Sequence, residues 1–231
     1  MTFRIISNEQ KARIKVIGVG GAGGNAINRM ISSGMHGVEF IAVNTDAQAL
    51  ENCAADACIC IGDDVTRGLG AGAMPELGRQ AVIEDRESVA EKLQDSDLVF
   101  ITAGMGGGTG TGAAPVVAEI AKEQGALSVG IVTEPFQFEG LPRMRNAMDG
   151  LSELQGQVDT LITIKNQRLL SICDRDTTLE DAFVKADEVL MQAVRGIADL
   201  ITIPGMINLD FNDVKTIISA GGDAIMGVGI Q

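Results

Sequence analysis

The stretch that most limits how this chain can fold runs from Leu98 to Gly112. An apolar run, Leu98-Val99-Phe100-Ile101-Thr102-Ala103, leads into Gly104-Met105-Gly106-Gly107-Gly108-Thr109-Gly110-Thr111-Gly112, and a helix-like segment opens at Ala113. That order is a strand, a glycine loop and a helix start. Six glycines in nine residues are costly to order, because glycine loses more backbone freedom on folding than any other residue. A bare turn needs fewer, so something must approach this backbone closely. Consecutive amide N–H groups in such a loop form a concave nest, and with the positive end of the next helix they suit an anion, phosphate above all. Thr109 and Thr111 add hydroxyl donors.

The same alternation recurs along the chain. Apolar runs at 14–17, 38–43, 57–61, 98–103, 127–132 and 160–164 read as strands, and 24–33, 113–124 and 141–155 as helices. A second glycine loop, Gly68-Leu69-Gly70-Ala71-Gly72-Ala73, precedes Pro75, which is placed for a first helical turn. Strands alternating with helices predict an α/β fold, a Rossmann-like mostly parallel sheet with helices on both faces. The nearly all-apolar runs agree, since doubly covered strands have no wet face.

Beyond about residue 176 the pattern changes. Thr177 and Glu180 form a candidate capping box opening a long helix to about Ile201. Leu179, Phe183, Ala186, Leu190, Ala193, Ile197 and Leu200 recur at helical spacing along it. Pro204-Gly205 ends that helix, Met206 to Leu209 form a loop, and another helix begins near Asp210-Phe211. The chain divides into an extension, 1–12, a core, 13–176, and a segment of long helix, loop and second helix, 177–231.

Composition narrows the function. With 231 residues, 45% of them apolar, the chain can bury roughly 70–75% of its unfolded surface. The net charge of −13 and the lack of clustered Lys and Arg argue against nucleic acid, whose binders replace counterions with cations. Trp and Tyr are absent, which removes the usual stacking platforms for single strands. An acidic chain that binds phosphate must neutralise it with backbone dipoles and a metal ion. No run is long enough for a membrane helix and the N-terminus lacks the form of a signal peptide, so a cytoplasmic protein is expected. Cys53, Cys58, Cys60 and Cys173 form no Cys-x-x-Cys pair and read as buried small hydrophobes. His36, in a polar turn beside Gly37, reads as a surface residue.

A third glycine loop, Gly18 to Asn25, carries the G-x-G-x-x-G spacing at Gly18, Gly20 and Gly23. Alone it points to a dinucleotide-binding domain, but Asn44 stands where the ribose-binding acid of that fold is expected. A P-loop is excluded, because no G-x-x-x-x-G-K-[ST] occurs. Three glycine loops at strand C-terminal ends lie where open α/β sheets bind ligands.

Gly106 to Gly112 resembles the signature of the tubulin/FtsZ family of GTPases. The loops around Gly21 and Gly72, with Asn208-Leu209-Asp210-Phe211-Asn212-Asp213, resemble its bacterial branch, and the similarity runs from about Arg13 to the end. The resemblance implies a cytoplasmic GTPase that takes GTP or GDP, with Mg2+, and self-associates into protofilaments at the division site among division-machinery proteins. By the same resemblance Gly20, Gly21, Gly24 and Asn25 face the phosphates. Ala71, Gly72 and Ala73 meet the γ-phosphate, and Gly104, Gly107, Gly108, Thr109, Gly110 and Thr111 the α- and β-phosphates. Glu139 and Arg143 meet the ribose and phosphate region, and Asn166, Phe183 and Asp187 hold the guanine.

The residue types make independent sense of these roles. Phe183 and Asp187 are i and i+4 on one helix face, and a carboxylate can accept from both guanine N1–H and N2–H2, a donor pair adenine lacks. Without the resemblance, Phe183 reads equally as core packing, Asp187 as a solvated residue, and Glu139 with Arg143 as a surface pair. Asp210 reads as a helix N-cap and Asp213 as a first-turn carboxylate. By resemblance Asp210 and Asp213, beside Asn208, enter the neighbouring subunit's nucleotide site and orient the attacking water.

Ala22, Met74 and Lys165 depart from the family pattern, where Gly, Asn and Pro are common. Family members of this branch continue into a second domain and a tail, so this short chain is expected to bind nucleotide but to assemble and hydrolyse weakly. The alternative is a nucleotide-binding assembly or regulatory module without turnover of its own; a Rossmann oxidoreductase is a distant third.

Overall fold

Six strands, all parallel, lie in the order β3-β2-β1-β4-β5-β6. They are β1 (Ile14–Val19), β2 (Glu39–Asn44), β3 (Ala57–Cys60), β4 (Leu98–Gly104), β5 (Leu127–Glu134) and β6 (Thr160–Lys165). The computed structural model describes residues 12–173, 176–202 and 211–219. Its helices are α1 (Gly20–Ser32), α2 (Ala47–Glu51), α3 (Asp63–Thr66), α4 (Pro75–Glu84), α5 (Arg86–Leu93), α6 (Thr109–Glu123), α7 (Leu141–Gln155), α8 (Asn166–Leu169), α9 (Leu179–Thr202) and α10 (Phe211–Ser219). Among the described residues no helix is long and apolar enough to cross a membrane.

Side chains alternate across each strand, so the sheet feeds two cores. On one face Ile17, Val19, Ile101 and Val132 pack with Ala81 and Val82 of α4, Val89 and Leu93 of α5, and Ala113 to Ala118 of α6. On the other, Ile14, Val16, Phe100 and Ile131 pack with Ala26, Ile27 and Met30 of α1 and Leu190, Ala193 and Val194 of α9. Covering both faces explains the uninterrupted apolar runs. Helix α6 is buried around nearly its whole circumference, and α4 crosses it backbone to backbone. A Cβ on Gly112 would stand 1.8 Å from the carbonyl oxygen of Pro75, and one on Gly78 2.4 Å from that of Gly108.

Several boundaries differ from the sequence expectation. Helix α1 starts at Gly20 rather than about Gly24, and α6 at Thr109 rather than Ala113, so much of the glycine-rich sequence is first helical turn instead of loop. Close packing explains the glycines there. A Cβ on Gly18 would lie 2.5 Å from the Gly23 carbonyl oxygen, and one on Gly110 2.5 Å from that of Gly104.

The capping box of α9 belongs to Thr178 and Asp181, one residue after the expected Thr177 and Glu180. The Asp181 amide donates to Thr178 Oγ1 at 3.1 Å, and Asp181 Oδ2 accepts from the Thr178 amide at 3.2 Å and hydroxyl at 2.6 Å. These bonds hold the Asp181 carboxyl below its ordinary range. Along α9 the expected stripe is buried at Ala186, Leu190 and Ala193, but Leu179, Phe183 and Leu200 are exposed, while Ala182, Val194 and Ala198 are buried instead. A straight stripe drifts around a long helix, and its ends overhang the sheet. The cysteines also depart from expectation: Cys58 and Cys60 are exposed and Cys53 and Cys173 half-buried, because β3 is an edge strand with one side open. His36 is exposed, as expected.

Candidate functional site

The chain leaves β1 toward β2 on one side and reaches β4 and β5 on the other, which opens a crevice at the C-terminal ends of β1 and β4. A pocket of about 300 Å3 occupies it. Of the residues expected to bind nucleotide, Gly20, Gly21, Gly72, Gly104, Gly107, Gly108, Thr109, Gly110, Glu139, Arg143, Asn166, Phe183 and Asp187 line this pocket together.

One end is built of backbone. Helices α1 and α6 both begin here, and neither has a side-chain N-cap or an acidic residue in its first turn. By contrast α4, α5 and α9 carry Glu76, Glu87 and Glu180 with Asp181 there. Two uncapped positive helix ends converge, and the chain leaves their dipoles to a ligand. They abut closely, a Cβ on Gly20 lying 3.0 Å from the Gly110 nitrogen. The loop before α4 is held against α6 by the Gly108 amide, which donates to the Gly72 carbonyl at 2.8 Å. Gly106, at φ +105°, turns the chain in a conformation L side chains rarely adopt. Ala22, with φ not positive, fits within α1; its methyl fills the space where a Cβ on Gly104 would stand 2.7 Å away.

Five expected residues do not line the pocket. Gly24 and Asn25 face an adjacent groove with Asn28, Asn44 and Cys53. Ala71 is buried beneath α6, and the Ala73 carbonyl accepts from Asn146 Nδ2 at 3.0 Å. Thr111 is buried, its hydroxyl accepting from the Gly106 amide at 2.8 Å, so it braces the loop from inside. Thr109 Oγ1 meets Thr45 Oγ1 at 2.6 Å, tying the start of α6 to the end of β2. Met74 is exposed and caps α4 without a side-chain bond.

The other end is built of side chains. Glu139 accepts from the Phe136 amide at 2.8 Å and from Arg143 at 2.7 Å; the i, i+4 pair forms, but Glu139 is a nearly buried anchor, not a free surface charge. Asn166 opens α8 and is 4% exposed, and its Oδ1 has no hydrogen-bond partner. Buried polar atoms are nearly always paired, so this acceptor is set for a donor from a ligand. Lys165 before it has an extended backbone, φ −85° and ψ 97°, and its side chain turns away to Glu134. Phe183 packs edge-on to Phe136 at 5.2 Å, while Phe138 stacks on Phe136 at 4.8 Å.

Asp187 is paired with Arg29 of α1, Nε to Oδ2 at 3.3 Å. Burial pushes its carboxyl up to about 6, and the hydrogen bond and charge of Arg29 limit the rise. Sequence reading misses Arg29 altogether. Its one signal is i, i+4 spacing from Asn25 on α1, and only the crossing of α1 and α9 brings it to Asp187. Asp213 is exposed in the first turn of α10 and does not line the pocket. Asn208 and Asp210 lie outside the described residues.

A doubly wound parallel sheet with a crevice at its switch point, walled by two uncapped helix starts and, at its far end, by a carboxamide and a carboxylate, is a ligand-binding domain of the α/β class. Within that class, the profile of the Tubulin/FtsZ family, GTPase domain, matches residues 13–174, and the chain belongs to this family. It is 59% identical over 228 residues to the cell division protein FtsZ of Pseudomonas aeruginosa, covering 98% of this chain and 58% of that protein. The Azotobacter vinelandii protein of the same name is 58% identical over the same shares. The chain thus spans less than two thirds of these relatives. Among solved structures it matches an FtsZ dimer of M. jannaschii with TM-score 0.89 and 52% identity, over 92% of this chain and 62% of that one. CetZ from Methanosaeta thermophila matches with TM-score 0.74 and 26% identity, over 91% and 60%.

Proposed function

We propose that this chain binds GTP and GDP in the crevice and hydrolyses GTP when copies assemble head to tail, as the nucleotide domain of a cell-division filament. The observation that carries the reading is the unpartnered Oδ1 of buried Asn166 in the same pocket as the Asp187 carboxylate. Two acceptors suit the N1–H and N2–H2 face of guanine, and Phe183 beside them offers an aromatic surface. Family membership and the two uncapped helix starts support placing the phosphates at the backbone end.

The phosphate end has no carboxylate among its lining residues, and the described residues hold no group of three metal-ligating side chains. A Mg2+ there would be held by phosphate oxygens and water, with the Thr109 and Thr133 hydroxyls the side-chain oxygens of that type in the lining. Bound there, the ion would neutralise phosphate charge. The chain's own part is to fix the phosphates with amides from Gly20, Gly21, Gly107, Thr109 and Gly110, the Gly108 amide being spent on the Gly72 carbonyl, and to keep the base end from accepting adenine. Asp210 and Asp213, with Asn208, are proposed to act in the adjoining copy's pocket by orienting water. Positioning and electrostatics do most of the work in phosphoryl transfer. Residence at the division site and contacts with other division proteins are part of the same proposal.

Calorimetric titration with GTP, GDP and ATP tests the binding reading; guanine nucleotides bind and ATP does not. Phosphate release measured over a range of chain concentrations tests turnover. A rate per chain that climbs with concentration and is lost in Asp213→Ala, with binding retained, supports assembly-dependent hydrolysis. Binding with no release at any concentration favours a module without turnover.

A further inference from the structure

We propose that Cys53 and Cys58 are a modification site, a surface thiol pair that a hydroperoxide converts to a reversible disulfide. Cys53 lies in the turn between α2 and β3, and Cys58 on β3 at the sheet edge. Both thiols are free, Cys58 exposed and Cys53 half-buried. Burial raises the Cys58 thiol, and neighbouring Cys53 adds to the rise. The Cys58 sulfur also sits 4.0 Å from the Cys53 carbonyl oxygen and 3.9 Å from that of Leu50, which turns it back over the α2–β3 connection.

The third thiol of the cluster is set apart by its neighbours. Beyond burial, Cys60 feels the charges of Asp63, Asp85 and Asp46, which oppose its thiolate, whereas on Cys58 it is Cys53 that adds to the effect of burial. Burial raises both thiols, so reaction is slow beside that of a catalytic cysteine. The same surroundings select the class of oxidant. The aspartates that act on neighbouring Cys60, Asp63, Asp85 and Asp46, disfavour an anionic disulfide as oxidant of the cluster and leave a small neutral hydroperoxide as the fitting class.

In the first step the Cys58 thiolate attacks the hydroperoxide. An S–O bond forms, the O–O bond breaks, and the alcohol or water leaves with a proton from solvent. Cys53 Sγ then attacks the sulfenic sulfur; the S–S bond forms, the S–O bond breaks, and hydroxide leaves as water with the Cys53 proton. The two thiols are oxidised by two electrons and the peroxide is reduced by the same two. The bond would close a turn that α1 already grips. Asn28 Nδ2 donates to the Asn52 carbonyl at 3.1 Å, and the Ala54 amide donates to Asn28 Oδ1 at 2.8 Å.

The chain is treated with hydrogen peroxide, free thiols are blocked with iodoacetamide, and the protein is cut before aspartates. Cleavage before Asp56 separates Cys53 from Cys58, so a linked peptide pair in the mass spectrum reports the bond. The pair is expected in the native chain and in Cys60→Ser, and dithiothreitol should release it. It should vanish in Cys58→Ser and Cys53→Ser, each leaving the remaining partner open to iodoacetamide. Full alkylation of Cys53 and Cys58 after peroxide overturns the proposal. So does a Cys53–Cys60 link in the native chain, or sulfinic acid on Cys58 with Cys53 still free.

Discussion

The two ends of the pocket are made of different material. The end proposed for the phosphates is backbone, with two helix starts and a tight loop brought together where side chains are missing. The base end is side chains, Glu139, Asn166, Phe183 and Asp187 with Arg29 behind it, contributed by elements scattered through the chain. The first end has no room for a side chain at Gly104, Gly108 and Gly110, where a Cβ would stand within 3 Å of neighbouring atoms, and little of its chemistry depends on residue identity beyond glycine. The second depends on named polar groups and their burial. Substitutions should therefore fail differently at the two ends.

The largest effect is expected at Gly112. An alanine there would put its Cβ 1.8 Å from the Pro75 carbonyl oxygen, where only backbone movement of α4 relieves the clash. Overpacking of that kind costs about 3 kcal/mol, and a thermal melt of Gly112→Ala should fall by roughly 6–12 °C. Gly107 makes the sharper test of the phosphate end. A Cβ on Gly107 meets nothing within 4 Å, so Gly107→Ala should melt with the native chain yet lose about tenfold or more in nucleotide affinity, the methyl standing where phosphate must approach. If its affinity is unchanged, the backbone end is not the phosphate site.

At the base end Asp187→Asn removes one charged acceptor. Hydrogen bonds to charged groups contribute about 1.5–3 kcal/mol, so GDP affinity should drop roughly ten- to a hundredfold while the melt stays cooperative. The same residue sets a pH dependence. Its folded carboxyl titrates at about 6 against an ordinary 3.8, so the folded chain holds this proton more tightly than the unfolded one. Its contribution to stability is then greatest below 3.8 and is lost as pH rises to about 6, by at most about 3 kcal/mol. The melting temperature of the native chain relative to Asp187→Asn should fall across that window. Guanine affinity should rise through it as the carboxylate ionises, and a flat difference would remove Asp187 from the base site.

The smallest effect is expected at Phe138, half exposed and stacked on Phe136. Phe138→Ala should cost about 1 kcal/mol of aromatic contact, read as a slightly lower melt and up to a fewfold weaker GDP binding through a less constrained Phe183.

What is legible in the sequence divides along the same line. Parallel strands, two covered faces and three glycine-rich stretches can all be read there, since each is written in consecutive residues with a local physical cause. The start of α6 reads as Ala113 because glycine reads as loop, and only the packing against α4 and the Gly104 carbonyl shows why glycines serve as helix there. The cap of α9 reads one residue early, as Thr177 and Thr178 offer the same hydroxyl and tertiary context chooses between them. The cysteines read as buried because strand composition does not say which strand lies at the edge.

The amino-acid sequence by itself determined the class of fold and the glycine-built end of the crevice, because strand alternation and glycine spacing act through neighbours in the chain. Only the tertiary structure decided that Asn166 would be buried with an unpaired oxygen, that Asp187 would be desolvated against Arg29, and that Thr111 would brace the loop rather than line the pocket. Those properties come from burial and from charges meeting across elements far apart in sequence, and neither quantity exists until the chain has packed.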